Sequence, residues 1–225
     1  MTWWRRLIWV GCAFLALVLY MLPMLFQQLA ITYQFPKQWT IGLGLLLIFL
    51  VWLVFVVAAK KTGILSPSGK IFQKGDGKRI ALGLFGMLLI SVLGTVLLRW
   101  LHGEVTTANQ ASLMEEFRRG DIILLSIMLG VLAPIAEEII FRGIIPLKIF
   151  KGYESWGYII GGLLFAIFHG PTNIMSFVIY GGASVILTLL ACRTRRLEVS
   201  IAVHMLNNGL PAILMLLITI FGVEV

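Results

Sequence analysis

Six side chains able to carry acid–base or hydrogen-bonding chemistry stand inside the most apolar stretches of the C-terminal half: Glu137, Glu138, Arg142, His169, His204 and Asn208. A charged group facing lipid at mid-depth costs roughly 2.5–3.5 kcal/mol. Three in six residues must therefore face a protein interior or a wet cavity. Glu138 and Arg142 are four apart, on one helical face, where they can pair. Glu137 sits about 100° around the helix, and no cation on the same helix lies one turn away to neutralise it. His204 and Asn208, again four apart, project from one side of their helix.

A carboxylate and a neutral imidazole that share one water can take its proton as it attacks a carbonyl. A second imidazole and a carboxamide, held at helical spacing, can donate hydrogen bonds to the developing oxyanion. That set is sufficient for peptide-bond hydrolysis without a covalent intermediate. His169, His204 and one glutamate are also the right types for a three-ligand zinc site with an open position. The local His-Glu-x-x-His signature is absent, so zinc would need ligands from distant helices and is not favoured. The bland alternatives are that Glu138–Arg142 is a buried pair fixing helix packing and that each histidine is a packing residue.

Those groups must be positioned by membrane helices. Of 225 residues, 60% are hydrophobic and 12% charged, against about 45–50% and 25% in soluble domains. A soluble fold cannot cover its surface with so few charges, and disorder and fibrous repeats fail likewise. Spans of about 20 apolar residues are expected at 7–26, 40–59, 80–100 and 121–148. The 155–192 stretch is split by Gly170-Pro171-Thr172-Asn173. The last, 197–222, is interrupted by Asn207-Asn208-Gly209-Leu210-Pro211, and is either one kinked crossing or two short helices. The expectation is an all-α, polytopic membrane protein of seven or eight helices. It forms one domain over 1–225, with the motif-bearing helices at 121–211. The 101–120 segment reads as a loop.

Charge sets the expected orientation. Arg5 and Arg6, the loop with Lys60, Lys61, Lys70, Lys74, Lys78 and Arg79, Lys148 with Lys151, and Arg193, Arg195 and Arg196 fall on one side, which makes that side and the N-terminus cytoplasmic. Anionic lipid headgroups are expected partners of these basic loops; nucleic acid is not, despite a net charge of +8. The first apolar run lacks a small-residue cleavage site before its end and reads as an anchor. Cys12 and Cys192 are expected to be buried thiols without a disulfide, and His102 to be solvated. Gly157-x-x-x-Gly161-Gly162 and Gly181-Gly182 read as close helix contacts. Trp3, Trp4, Trp39, Trp100 and Trp156 read as interfacial anchors.

Glu137-Glu138-x-x-x-Arg142, Phe165-x-x-x-His169 and His204-x-x-x-Asn208, in that order, resemble the motifs of the CPBP family, which comprises CAAX-type prenyl endopeptidases and bacteriocin-processing or self-immunity membrane proteins. The likeness covers about residues 121 to 211. It implies that Glu137 activates water with help from His169, that His204 and Asn208 form an oxyanion hole, and that Glu138 and Arg142 support them. Substrates would then be membrane-associated peptides or lipidated proteins. Two rivals stand beside this reading: a non-catalytic immunity or scaffold protein that binds a peptide or membrane partner, and a proton-coupled transporter, which the lack of internal repeats disfavours. Counting residues places Glu137, His204 and Asn208 in the inner half or middle of the bilayer and His169 nearer the outer face. A shared site then requires tilt or a late start of the fifth helix.

Overall fold

The helix that carries two carboxylates and a guanidinium has to be the innermost one, and it is. The computed structural model describes residues 2–66 and 71–221; Lys70 and Gly222 lie outside the described residues. The elements are α1 (Trp3–Thr32), α2 (Lys37–Lys61), α3 (Asp76–His102), α4 (Ala108–Arg119), α5 (Ile122–Ile149), α6 (Glu154–Phe168), α7 (Ile174–Thr194) and α8 (Leu197–Ile220). Six of them, all but α4 and α6, are long and apolar enough to cross a membrane, and α6 is a shorter apolar helix. Two thirds (67%) of the most apolar part of α5 is buried, against 17–28% in the other five. Helices α1, α2, α6 and α8 pack around α5, while α3 lies outside against α7 and α8.

The sequence shows why these helices meet where they do. A Cβ at Gly161 of α6 would stand 2.2 Å from the Phe141 carbonyl oxygen of α5, and one at Gly157 would stand 2.5 Å from Pro146 Cα. Glycine is thus what lets these two backbones touch. Gly182 instead makes room for the Ile90 side chain, 2.9 Å from a hypothetical Cβ, whereas at Gly181 the nearest atom is the Phe177 ring edge at 4.0 Å. Gly130 of α5 faces the Gly209 backbone of α8, with a hypothetical Cβ 3.2 Å from Gly209 Cα. That crossing explains why Asn207 to Pro211 does not split the last segment: the glycine serves helix contact, and α8 runs unbroken through Pro211.

Within α5, the six α-helical residues Ala133–Glu138 are flanked by π-helical turns, Met128–Leu132 and Ile139–Ile149. Such turns widen the helix locally and are frequent at functional sites. Arg142 is fully buried. It donates from Nη1 to Glu138 Oε1 at 3.1 Å, from Nη2 to Ser184 Oγ and O at 2.8 and 3.2 Å, and from Nε to Thr188 Oγ1 at 3.4 Å. Ser184 Oγ in turn donates to Gly162 O at 2.9 Å. One guanidinium therefore ties α5 to α7, and α7 to α6.

All four basic segments meet at one end of the bundle. Asp76 accepts from Arg79 at 2.9 Å and from Arg196 at 2.6 Å, clamping the α2–α3 loop to the α7–α8 turn. Arg6 donates to Ile149 O and Lys151 O at 2.5 and 2.9 Å, and Lys148 donates to Thr62 O at 2.5 Å.

Two expectations are corrected. Residues 108–119 form an amphipathic helix, not a loop: Thr107 and Gln110 make a reciprocal capping box that nucleates it. Cys12 and Cys192 are free thiols as expected, but both are exposed, because their helices turn those faces outward. The five tryptophans near helix ends are exposed too, as interfacial anchors require.

Two measurements check this packing. Arg142→Met strands Glu138 without its cation and is expected to destabilise the folded bundle by about 3–5 kcal/mol in a denaturant titration in mild detergent. Gly161→Val forces the α5 and α6 backbones apart and is expected to cost at least about 1–3 kcal/mol in the same assay, whereas Gly181→Ala should leave the midpoint unchanged.

Candidate active site

Glu137 is the point on which three other helices converge. Its Oε1 accepts a hydrogen bond from the Tyr20 hydroxyl of α1 at 3.0 Å. Its Oε2 is buried and has no hydrogen-bond partner. That oxygen faces two imidazole nitrogens, His204 Nε2 of α8 at 3.7 Å and His169 Nε2, at the end of α6, at 4.0 Å.

Both imidazoles are held by their other nitrogen. A carbonyl can only accept, so His169 Nδ1 donates to Phe165 O, 2.8 Å away and one turn back. This leaves Nε2 of a neutral ring with its lone pair toward Glu137. His204 Nδ1 lies 3.1 Å from Glu138 Oε1, the same oxygen that Arg142 holds. Glu138 thus orients the second imidazole while Arg142 balances its charge. The His169 ring also stacks on Tyr180, with centroids 4.6 Å apart, and the Tyr180 hydroxyl meets Thr107 Oγ1 at 2.5 Å.

Phe165 occupies the centre of the cluster. Its ring lies 4.4 Å from the His169 ring, edge-on to His204 at 5.7 Å, and 4.2 Å from the Arg142 guanidinium carbon. The phenylalanine of Phe-x-x-x-His therefore spaces the two imidazoles and covers the cation. On the outward side, Phe168 is flanked by the Tyr20 and Phe141 rings at 6.3 and 5.7 Å, and is 40% exposed. Side-chain exposure is 15% for His169 and 5% for Glu137. Phe168, Tyr20 and Phe141 thus form an aromatic cluster beside the Glu137–His169 contact.

Five of the six sequence candidates are joined in this network: Glu137, Glu138, Arg142, His169 and His204. Asn208 is not; it lies one turn beyond His204, half-buried, and its Oδ1 accepts from Asn207 Nδ2 at 3.1 Å. The expected mismatch in depth is small. His169 Nε2 and His204 Nε2 stand 4.0 and 3.7 Å from the same Glu137 oxygen. Helix α6 starts at Glu154, so no later start is involved. The sequence reading missed Tyr20. Its signal was present: it is the one hydroxyl side chain in the first apolar run, and a phenol buried in a span needs a partner.

The 3.7 and 4.0 Å separations exceed the roughly 3.4 Å between ligands of a tetrahedral zinc ion. Among the described residues, no group of three or more His, Cys, Asp or Glu side chains is set to hold a metal.

Comparison with known proteins agrees with the geometry. Residues 119–210 match the family model described as "Type II CAAX prenyl endopeptidase Rce1-like". The chain is 28% identical over 197 residues to the UPF0177 protein YvdC of Lactococcus lactis, covering 85% of this chain and 74% of that protein. It is 32% identical over 139 residues to the membrane-embedded CAAX protease MroQ of Staphylococcus aureus, covering 58% of this chain and 54%, about half, of that relative. No solved structure matches. The matched segment holds every candidate residue from Glu137 to Asn208, in the order of the sequence motifs and on helices that bring the acid and both imidazoles together; over that segment, less than half of the chain, the comparisons support a CAAX-type membrane protease of the CPBP family.

Proposed function

We propose that this protein is an intramembrane endopeptidase that hydrolyses a peptide bond of a membrane-associated protein or peptide with water activated by Glu137. The observation that carries the reading is the unpartnered Glu137 Oε2, buried and faced by two imidazole Nε2 atoms just beyond hydrogen-bond distance. A water placed there can donate one proton to Oε2 and the other to His169 Nε2 while its oxygen points at a carbonyl carbon. In the proposed step the water oxygen bonds to that carbon, Glu137 takes the proton, and the carbonyl π electrons move onto oxygen. When the tetrahedral intermediate collapses, the C–N bond breaks and Glu137 passes its proton to the leaving nitrogen. No covalent enzyme intermediate forms and no metal takes part.

His204 and Asn208 are proposed to receive the oxyanion. With Nδ1 directed at Glu138 Oε1, a donor at His204 Nε2 requires both ring nitrogens to be protonated, and the Glu138 carboxylate faces the resulting charge. Two carboxylates are then balanced by one guanidinium and one imidazolium in a site that excludes bulk water. Asn208 takes the Asn207 amide on its Oδ1, which leaves its Nδ2 as the donor proposed for the oxyanion. Tyr20 holds Oε1 so that Oε2 is the oxygen left for water. The end of the bundle bearing the four basic segments is proposed to face the cytoplasm, with the N-terminus on that side.

Membranes carrying wild-type protein or Glu137→Gln at equal abundance provide the test, with newly generated peptide termini read by mass spectrometry. Termini dependent on the wild type should fall by at least about a hundredfold in Glu137→Gln, with the variant folding normally by thermal melt. Undiminished termini would show that Glu137 is not the base and return the polar cluster to a packing or scaffold role. Chelation with 1,10-phenanthroline should leave the same termini unchanged; their loss would bring a metal back. Tyr20→Phe removes one hydrogen bond to a carboxylate and should slow cleavage about tenfold without lowering the melting temperature.

A further inference from the structure

Away from the carboxylate–imidazole cluster, a cavity of about 390 Å3 opens at the basic end of the bundle between α1 and the end of α5. It is lined by Arg5, Ile8, Trp9, Cys12, Lys148 and Lys151. Three of the six lining residues are cations and none is a carboxylate. The nearest acid in sequence, Glu154, lies outside the lining: its Oε1 accepts from Gly152 N at 2.8 Å, and it feels Lys151 and Arg6 only through longer-range attraction. The helix ends that form the cavity do not drift apart, because Arg6 bonds to the Ile149 and Lys151 carbonyls. Lys148 is half-buried, with its ammonium bonded to Thr62 O and 5.6 Å from the centre of the Trp9 ring. Two of its three N–H groups remain for a ligand.

The basic clusters most prominent in the sequence are less free: Arg79 and Arg196 are both committed to Asp76. Among the described residues, none of the cations around this cavity is ion-paired to a carboxylate. Beneath them, Ile8 and Leu15 are 65% and 57% exposed, and with Cys12 they form an apolar stripe along α1. A ligand that satisfies both features has an anionic head for three cations and a hydrocarbon tail for the stripe. Trp9 at the rim matches the headgroup level of a bilayer.

The geometry points to a bound anionic phospholipid, its phosphate held by Arg5, Lys148 and Lys151 and an acyl chain lying along Ile8, Cys12 and Leu15. This site is independent of the proposed peptidase chemistry. It takes one headgroup at a built position, where the basic loops offer only diffuse attraction.

Native mass spectrometry of the full-length protein in mild detergent tests it, with phosphatidylglycerol, phosphatidylcholine and inorganic phosphate as separate probes. The wild type should retain one phosphatidylglycerol under conditions that strip phosphatidylcholine. Arg5→Gln/Lys151→Gln should weaken that retention at least tenfold, from about fivefold per cation near a membrane surface. Its melting temperature in lipid-free detergent should be unchanged, since neither side chain holds the fold. Arg193→Gln/Arg195→Gln, which removes the same charge elsewhere at this end, should change nothing. Equal retention of the two lipids, or equal loss in both double variants, overturns the site. Displacement of phosphatidylglycerol by millimolar inorganic phosphate alone would make the ligand a soluble phosphate and overturn the lipid assignment.

Discussion

Two carboxylates and a guanidinium within six residues of a membrane-depth helix impose a condition that the surrounding structure has to meet. None of the three can face hydrocarbon, and the Arg142–Glu138 pair needs every remaining donor satisfied before its desolvation is offset. The bundle meets that condition for the guanidinium by making α5 the axis and spending polar groups of other helices on it, while Glu138 keeps one buried oxygen, Oε2, without a hydrogen-bond partner. Ser184 and Thr188 of α7 take the guanidinium N–H groups that Glu138 leaves over. Gly157 and Gly161 remove side chains from α6 so that its backbone can close against α5. Phe165, carried by that same helix, covers the cation with its ring.

The neighbouring acid has no guanidinium bonded to it and meets different partners. The two oxygens of Glu137 are treated differently: one takes the Tyr20 hydroxyl, and the other is left between two imidazole nitrogens. The asymmetry follows from the neighbours. His169 is pinned through Nδ1 by the carbonyl one turn back, and His204 by Glu138, so each ring can present only Nε2. The packing charges and the chemical site are therefore one network, with Glu138 serving both. The likeness of this segment to CAAX-type membrane proteases and the unpartnered oxygen point in the same direction by separate routes.

Much of this was readable from residue types and spacing. Membrane class, the helical segments and the pairing of Glu138 with Arg142 follow from composition and from the i, i+4 rule. The meeting of Glu137, His169 and His204 was suggested by three motifs and a family likeness, because spacing alone cannot say which helices touch. What was not readable depended on long-range packing. Tyr20 is far from every motif, and only the contact of α1 with α5 brings it to Glu137. The unbroken course of α8 through Pro211 depends on Gly209 meeting Gly130, a contact invisible in local turn signals. The α4 helix was missed because its polar composition resembles a loop, although the Thr107–Gln110 capping box was there to be read. The exposure of Cys12 and Cys192 shows that in a membrane protein an apolar setting does not mean a protein interior.

The central physical claim is that water reaches the space shared by Glu137, His169 and His204 inside an otherwise apolar bundle. Deuterium exchange at the imidazole C2 position, followed by mass spectrometry on the protein reconstituted in lipid vesicles, reads that property directly, with His102 in its exposed position as the internal standard. The account predicts measurable exchange at both His169 and His204, slower than at His102. Complete protection of both rings while His102 exchanges would mean a dry cluster, and a dry cluster cannot hydrolyse a peptide bond.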